Sequence, residues 1–320
     1  MTDKQINKWL RRQFSVLGWI LIGYYLLINA MTMLTYAWQM LVQMRGLIGH
    51  GRNWWTQLDT EALLSNAWGY VAAIGVLFFV LHAWKGSDYW RCEVFRREKP
   101  ITVGALFAVL CMCTGSQMIN GFWVSGLEWL FNQADKSLMP ILETVSGSSD
   151  TFSMFLYASL LAPIAEELLF RGLVLRTLRP YGRKIAIFGS AFLFGLFHGN
   201  LLQTPYAFLM GLVLGYVTVE YSVVWAIWLH VFNNMILADL LTRLTAGLPA
   251  EAGAMVQTAL CGSCLVISCV ILLVKRRTIG EYLRSEWMDR RVLKCFFFNW
   301  GIVLLTLMMI VNIALMIGKK

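Results

Sequence analysis

The groups able to do chemistry concentrate in one third of the chain. The run LLAPIAEELLFRGLVLR sets Glu166, Glu167 and Arg171 in an otherwise apolar stretch. A second apolar stretch ends in FLFGLFHGN, with Phe194 and His198, and a third contains WLHVFNNM, with His230, Asn233 and Asn234. Carboxylates and imidazoles of this kind can activate water, hold a metal ion or, with an amide, stabilise an oxyanion. Helical spacing sorts them. Glu167 and Arg171 are four apart, acid first, which is the favourable order for a pair on one helix. The residue four after Glu166 is Phe170, so Glu166 lacks such a partner. Adjacent residues diverge by about 100° on a helix, so the two carboxylates face different surfaces. One is held by Arg171, and the other is free to work. An unpaired carboxylate in a low-dielectric site holds its proton more readily, which suits a general base near neutral pH. Glu166 is therefore the expected base, with Glu167–Arg171 as the orienting pair.

His230 and Asn234 are also four apart and share a face. Asn233 points about 100° away, so Asn234 is expected beside His230. An imidazole and an amide on one face can bind a metal or donate to a developing oxyanion, and His198 could close a third side. Pro163 removes a backbone donor three residues before Glu166 and can kink its helix. Other ionisable groups have simpler explanations. Asp239 and Arg243 form a structural i,i+4 pair, Glu220 is interfacial, and His82 makes a hydrogen bond between helices.

The elements that position these groups are membrane helices. Of 320 residues, 58% are hydrophobic and 14% charged, against about 25% charged in soluble domains. Nine apolar segments run roughly 14–40, 64–84, 101–131, 151–178, 184–198, 204–221, 222–245, 253–274 and 295–317. The expected fold is all-α, a polytopic membrane bundle of about eight to nine transmembrane helices. The segment 184–198 is about 22 Å long, short of a ~30 Å hydrocarbon core, as suits a helix buried in protein or lining a cavity. The chain divides into N-terminal helices, 1–145, a central unit, 146–246, and C-terminal helices, 247–320.

The net charge of +9 is explained by where the charges sit. With the N-terminus inside and nine alternating spans, 20 Lys and Arg fall on the inner side and six on the outer. That split predicts a multi-pass cell-membrane protein with a cytoplasmic N-terminus. No basic-aromatic stripe accompanies the charge, so nucleic acid is not an expected partner. Trp9, Trp38, Trp54, Trp55, Trp84, Trp90, Trp129 and Trp287 fall near span ends, as an aromatic belt requires. The first apolar run is longer than a signal-peptide core and is expected to remain as a span. The Cys261-x-x-Cys264 pair has no second ligand pair near it and is expected to pack as small hydrophobes.

Together, Glu166-Glu167-x-x-x-Arg171, Phe194-x-x-x-His198 and His230-x-x-x-Asn234 resemble the three ordered motifs of the CAAX-protease and bacteriocin-processing intramembrane endopeptidases. The resemblance covers roughly 150–245. It implies a membrane-embedded cavity in which Glu166 activates water while His198, His230 and Asn234 hold the oxyanion or a metal. Glu166, His198 and His230 could serve a divalent metal, zinc first, with water in the fourth place. Asparagine is an unusual zinc ligand, which leaves a metal-free glutamate–water mechanism open. The chain has no His-Glu-x-x-His, Gly-x-Ser-Gly or Gly-x-Gly-Asp, which argues against the other classes of intramembrane protease. The implied substrates are hydrophobic or lipidated peptides that arrive through membrane lipid. Bacterial members of the family resemble peptide-maturation or bacteriocin self-immunity factors, and the lack of organelle targeting or retention signals points to a bacterial source. The alternatives are a non-catalytic immunity or peptide-binding factor on the same fold, and a transporter, for which no internal repeat is visible.

Overall fold

The computed structural model describes residues 2–47, 59, 65–138, 151–285, 288–316 and 318–319. Trp54, Trp55, Trp287, Arg52 and the boundary at 145 lie outside the described residues. All nine apolar segments are helical. They are α1 (Asp3–Leu47), α2 (Trp68–Val94), α3 (Val103–Asn132), α4 (152–178), α5 (Arg183–Phe197), α6 (Thr204–Glu220), α7 (Val223–Ala246), α8 (Ala250–Val274) and a final bent pair. Between α8 and that pair lies the basic helix α9 (Arg276–Ser285). The pair is α10 (Arg290–Phe297) and α11 (Trp300–Met316), which meet at 57°. The strand pairing described is two residues long, Lys136–Ser137 against Gly318–Lys319.

Among the described residues five helices, α1, α2, α3, α7 and α8, are long and apolar enough to cross a membrane, and the bent pair makes six. That is fewer than the eight to nine spans expected. α5 and α6 have 15 and 17 residues, short for a full crossing. α4 is not among the six either, and it carries the ionisable cluster at its middle.

Local chemistry sets where helices start. Thr102, Thr151 and Ser222 each accept a backbone N–H of the first turn, from Ala105, Met154 and Trp225, satisfying donors a helix start leaves open. The core lies around α4 and α5. Phe14, Leu21, Leu169, Phe170, Phe194, Phe296 and Leu305 form one buried cluster that joins α1, α4, α5, α10 and α11. On the other side Val109, Met210, Leu214, Val217 and Leu229 join α3, α6 and α7.

The segments expected on the inner side meet at one end of the bundle. Glu220 pairs with Lys99 at 2.6 Å and Arg183 at 3.1 Å. Arg176 pairs with Glu98, Lys184 donates to the Leu283 carbonyl, and Arg291 pairs with Asp3. The hydrogen bond to Glu220 pushes the Lys99 ammonium pKa up. At the opposite end Thr151 donates to the Ser65 carbonyl, Trp123 to Leu201, and Asn312 to Gly199. Trp9, Trp38, Trp84 and Trp129 are exposed, as the aromatic belt requires, whereas Trp90 packs against the core.

Candidate active site

Glu166, Glu167 and Arg171 sit on α4 where the helix is widened. Residues Leu156–Leu161 and Glu167–Leu175 are π-wound, and so is Phe232–Leu240 on α7. Pro163 cannot donate to the carbonyl of Ser159, and the turn before it is π-wound rather than sharply kinked. A π turn displaces carbonyls from their regular partners, and neighbouring helices supply new ones. Ser190 Oγ donates to Phe170 O at 2.8 Å, Tyr89 Oη to Gly172 O at 2.7 Å, and Asn234 Nδ2 to Ala158 O at 3.1 Å. Sequence periodicity gave no sign of these turns.

Glu167 is completely buried and holds two partners. Its Oε2 lies 3.1 Å from Arg171 Nε, and its Oε1 lies 2.9 Å from His230 Nδ1. The i,i+4 pair inferred from spacing is thus formed, with α7 added to it. Arg171 is equally buried, stacks over the Phe194 ring at 4.3 Å and reaches the Gly211 carbonyl at 3.4 Å. The close packing of α6 on α5 at this point needs Gly211. A Cβ there would lie 2.9 Å from Ala191 Cα and 3.3 Å from Phe194 Cδ1. Phe194 also meets the edges of His198 and His230, with ring centroids 4.9 and 5.6 Å apart.

Glu166 faces elsewhere, as its place on the helix requires. Its side chain is 25% exposed, and its Oε2 lies 3.7 Å from His230 Nε2. His230 therefore stands between the two carboxylates, its Nδ1 on Glu167 and its Nε2 toward Glu166. His198 is half-buried at the end of α5, and its Nδ1 lies 2.9 Å from Phe194 O. Gly199, at φ +60°, ends the helix there, a left-handed conformation that glycine adopts without strain.

The described residues contain no group of three His, Cys, Asp or Glu side chains that could hold a metal ion. Each imidazole is oriented through Nδ1, His230 by Glu167 and His198 by the Phe194 carbonyl, which leaves its Nε2 as the nitrogen that could bind a ligand. Asn234 lies beside the site, but Asn233 is more than a bystander. Its Oδ1 accepts from Tyr206 Oη at 2.7 Å and Gln117 Nε2 at 3.1 Å, and its Nδ2 donates to Asn234 Oδ1 at 3.0 Å. The sequence signal was there in Gln117, a polar group deep in an apolar segment. The expected i,i+4 contact of Asp239 with Arg243 is formed, with Arg243 Nε 3.0 Å from Asp239 Oδ1, and Glu220, expected at an interface, makes ion pairs at the basic end. His82 contacts Ser87 of its own helix, at 3.3 Å, rather than a neighbouring helix.

Residues 148–236 match the family model described as type II CAAX prenyl endopeptidase Rce1-like. The match spans all three motifs and agrees with the resemblance read from them. The matched residues lie at the centre of a multi-pass helical chain. No curated protein and no solved structure matches the chain.

Proposed function

We propose, from the match of residues 148–236 to the CAAX endopeptidase family model, that the chain hydrolyses peptide bonds of hydrophobic or lipidated peptides within the membrane. One observation carries the mechanism: buried Glu167 clamps both Arg171 and His230, while Glu166 stays partly open on the other side of the same imidazole. Glu166 takes a proton from water as the water oxygen attacks the scissile carbonyl. The Asn234 amide and His230 are the donors nearest the developing oxyanion, and the free Nε2 of His198 helps hold the water. The tetrahedral intermediate collapses, the C–N bond breaks, and Glu166 returns the proton to the leaving amine. Glu167 and Arg171 act through His230 and are positioning residues. No step is assigned to a metal.

The basic end of the bundle faces the cytoplasm in this proposal, with the N-terminus. Residues 146–246 form the catalytic unit, and 1–145 and 247–320 enclose it. In a bacterial membrane the activity would mature exported peptides or degrade a bacteriocin. The test compares cells carrying the wild type with cells carrying Glu166→Ala at matched membrane expression, with peptide termini mapped by mass spectrometry. Termini that vanish in the variant are the expected result. Identical termini with an immunity phenotype retained would replace the proposal with a peptide-binding factor. Glu166→Gln active beside a dead but folded Glu167→Gln would reverse the two carboxylate roles.

A further inference from the structure

A cavity of about 640 Å³ opens beside the catalytic residues, between α3, α4, α6, α7 and α8. Glu166, His198 and His230 do not line it. Asn234, which follows His230 on α7, lines it with Ala158, to which it is bonded. Its lining is rich in side-chain amides for so apolar a chain. Gln117 and Asn120 come from α3, Asn233 and Asn234 from α7, Gln257 from α8, and Gln203 from the start of α6. Polar groups at membrane depth are costly and cluster where they are used. Several of these amides satisfy each other, but Asn120 Oδ1 is buried without a hydrogen-bond partner.

The charge of the cavity is as informative as its polarity. The one ionised side chain among the described lining residues is Asp239, which is paired with Arg243. No lysine or arginine is among the described lining residues, and Arg243 beside them is bound to Asp239, so the lining itself offers mainly amides and hydroxyls, which exchange hydrogen bonds with peptide groups. The cavity also lies toward the helix ends opposite the basic cluster, near the start of α8 and the end of α7.

We infer that this cavity is a subsite for an extended, uncharged internal stretch of peptide beside the scissile bond, and that it does not receive a free C-terminal carboxylate. The inference rests on the endopeptidase proposal and narrows its substrate class. Gln117, Asn120 and Gln257 read the peptide's amides from outside the segment matched by the family model. Internal cleavage of a longer peptide follows, rather than trimming of a short tail ending in a carboxylate.

The test uses the full chain in lipid nanodiscs with Glu166→Gln as a trap. The probe is a short Ala-Leu-Ser peptide carrying one photoreactive benzoylphenylalanine, made as the C-terminal amide and as the free acid. The amide form is expected to cross-link to fragments of α3, α7 and α8, with the free acid captured about tenfold less. Gly121 lines the cavity, and a Cβ there meets nothing within 4 Å, so Gly121→Phe fills the space without a clash at its root. It should abolish capture, whereas Gly126→Phe, equally open on the same helix, should not. Asn120→Leu, which removes a polar atom that has no partner, should weaken capture in a folded protein. Capture elsewhere, equal capture of the acid, or capture indifferent to both Gly121→Phe and Asn120→Leu would overturn the inference. Cleavage by the otherwise wild-type chain is read separately. Capture at the cavity with no cleavage removes the protease reading and keeps the subsite. Cleavage unchanged by Gly121→Phe does the reverse.

Discussion

Helices α5 and α8 are both apolar, yet they live in different solvents. Ten of the fifteen residues of α5 are buried, against two of twenty-five in α8, Gly253 and Ser268. In α5 the small residues Ala191 and Gly195 let the start and middle of α6 approach, and Gly189 makes room for the Leu178 and Phe296 side chains. In α8 the large side chains Val266, Val270, Leu272, Leu273 and Val274 point outward, and Gly115 of α3 is packed against Leu265. Hydropathy alone does not separate a helix facing protein from one facing lipid, because hydrocarbon tails are as apolar as leucine. What separates them is where small and polar residues gather. The ionisable groups of the candidate site sit on α4, α5 and α7, and the supporting amides cross from that core into the shell through α3 and α8.

The contrast between core and shell can be tested by substitution. The largest effect is expected from Arg171→Met. It leaves Glu167 as an uncompensated buried charge and should cost about 3–5 kcal/mol, read as loss of thermal stability in detergent. Adding Glu167→Gln should restore much of that stability without activity. Should Arg171→Met alone keep its stability, Glu167 is not ionised in the folded chain. Next comes Glu166→Gln, for which peptide cleavage should fall by about 10²–10⁴-fold with the melting temperature unchanged. A large drop in stability would make Glu166 a structural group.

Overpacking separates the two regions further. Gly211→Val should destabilise by about 1–3 kcal/mol, since its Cβ meets Ala191. Gly262→Val on α8, where a Cβ meets nothing within 4 Å, should lie within about 0.5 kcal/mol of wild type. Equal melting shifts for the two would erase the distinction between core and shell. The smallest effect concerns a metal. Cleavage should survive treatment with a chelator, because the proposed mechanism assigns no step to a metal. Loss of cleavage that zinc restores would show that the side chains regroup around an ion.

Much of this was legible before the structure. Hydropathy located all nine helical segments, because burial in lipid or in protein demands the same apolar composition. The i,i+4 rule paired Glu167 with Arg171 and turned Glu166 away from them. The short segment 184–198 proved to be a buried 15-residue helix. Other features left no local trace. The π turns depend on carbonyl partners such as Ser190 and Tyr89, which come from distant segments. Asn233 was discounted for pointing away from His230, yet that direction is what lets it meet Tyr206 and Gln117. Spacing placed two histidines and a carboxylate in one region, but the partner that orients His230, Glu167 on another helix, is a tertiary fact.

The clamp of Glu167 between Arg171 and His230 also bears on biogenesis. A charged side chain at the centre of a lone inserting helix costs about 2.5–3.5 kcal/mol, and α4 carries Glu166, Glu167 and Arg171 near its middle. The next two segments, α5 and α6, are short. His230, the second partner of Glu167, is made only when α7 is synthesised, 63 residues later. The nascent chain must therefore hold α4 in a protected setting, at the insertion machinery or against α1 and α2, until α7 arrives. Membrane entry of this region is a joint event of four segments rather than a series of independent crossings.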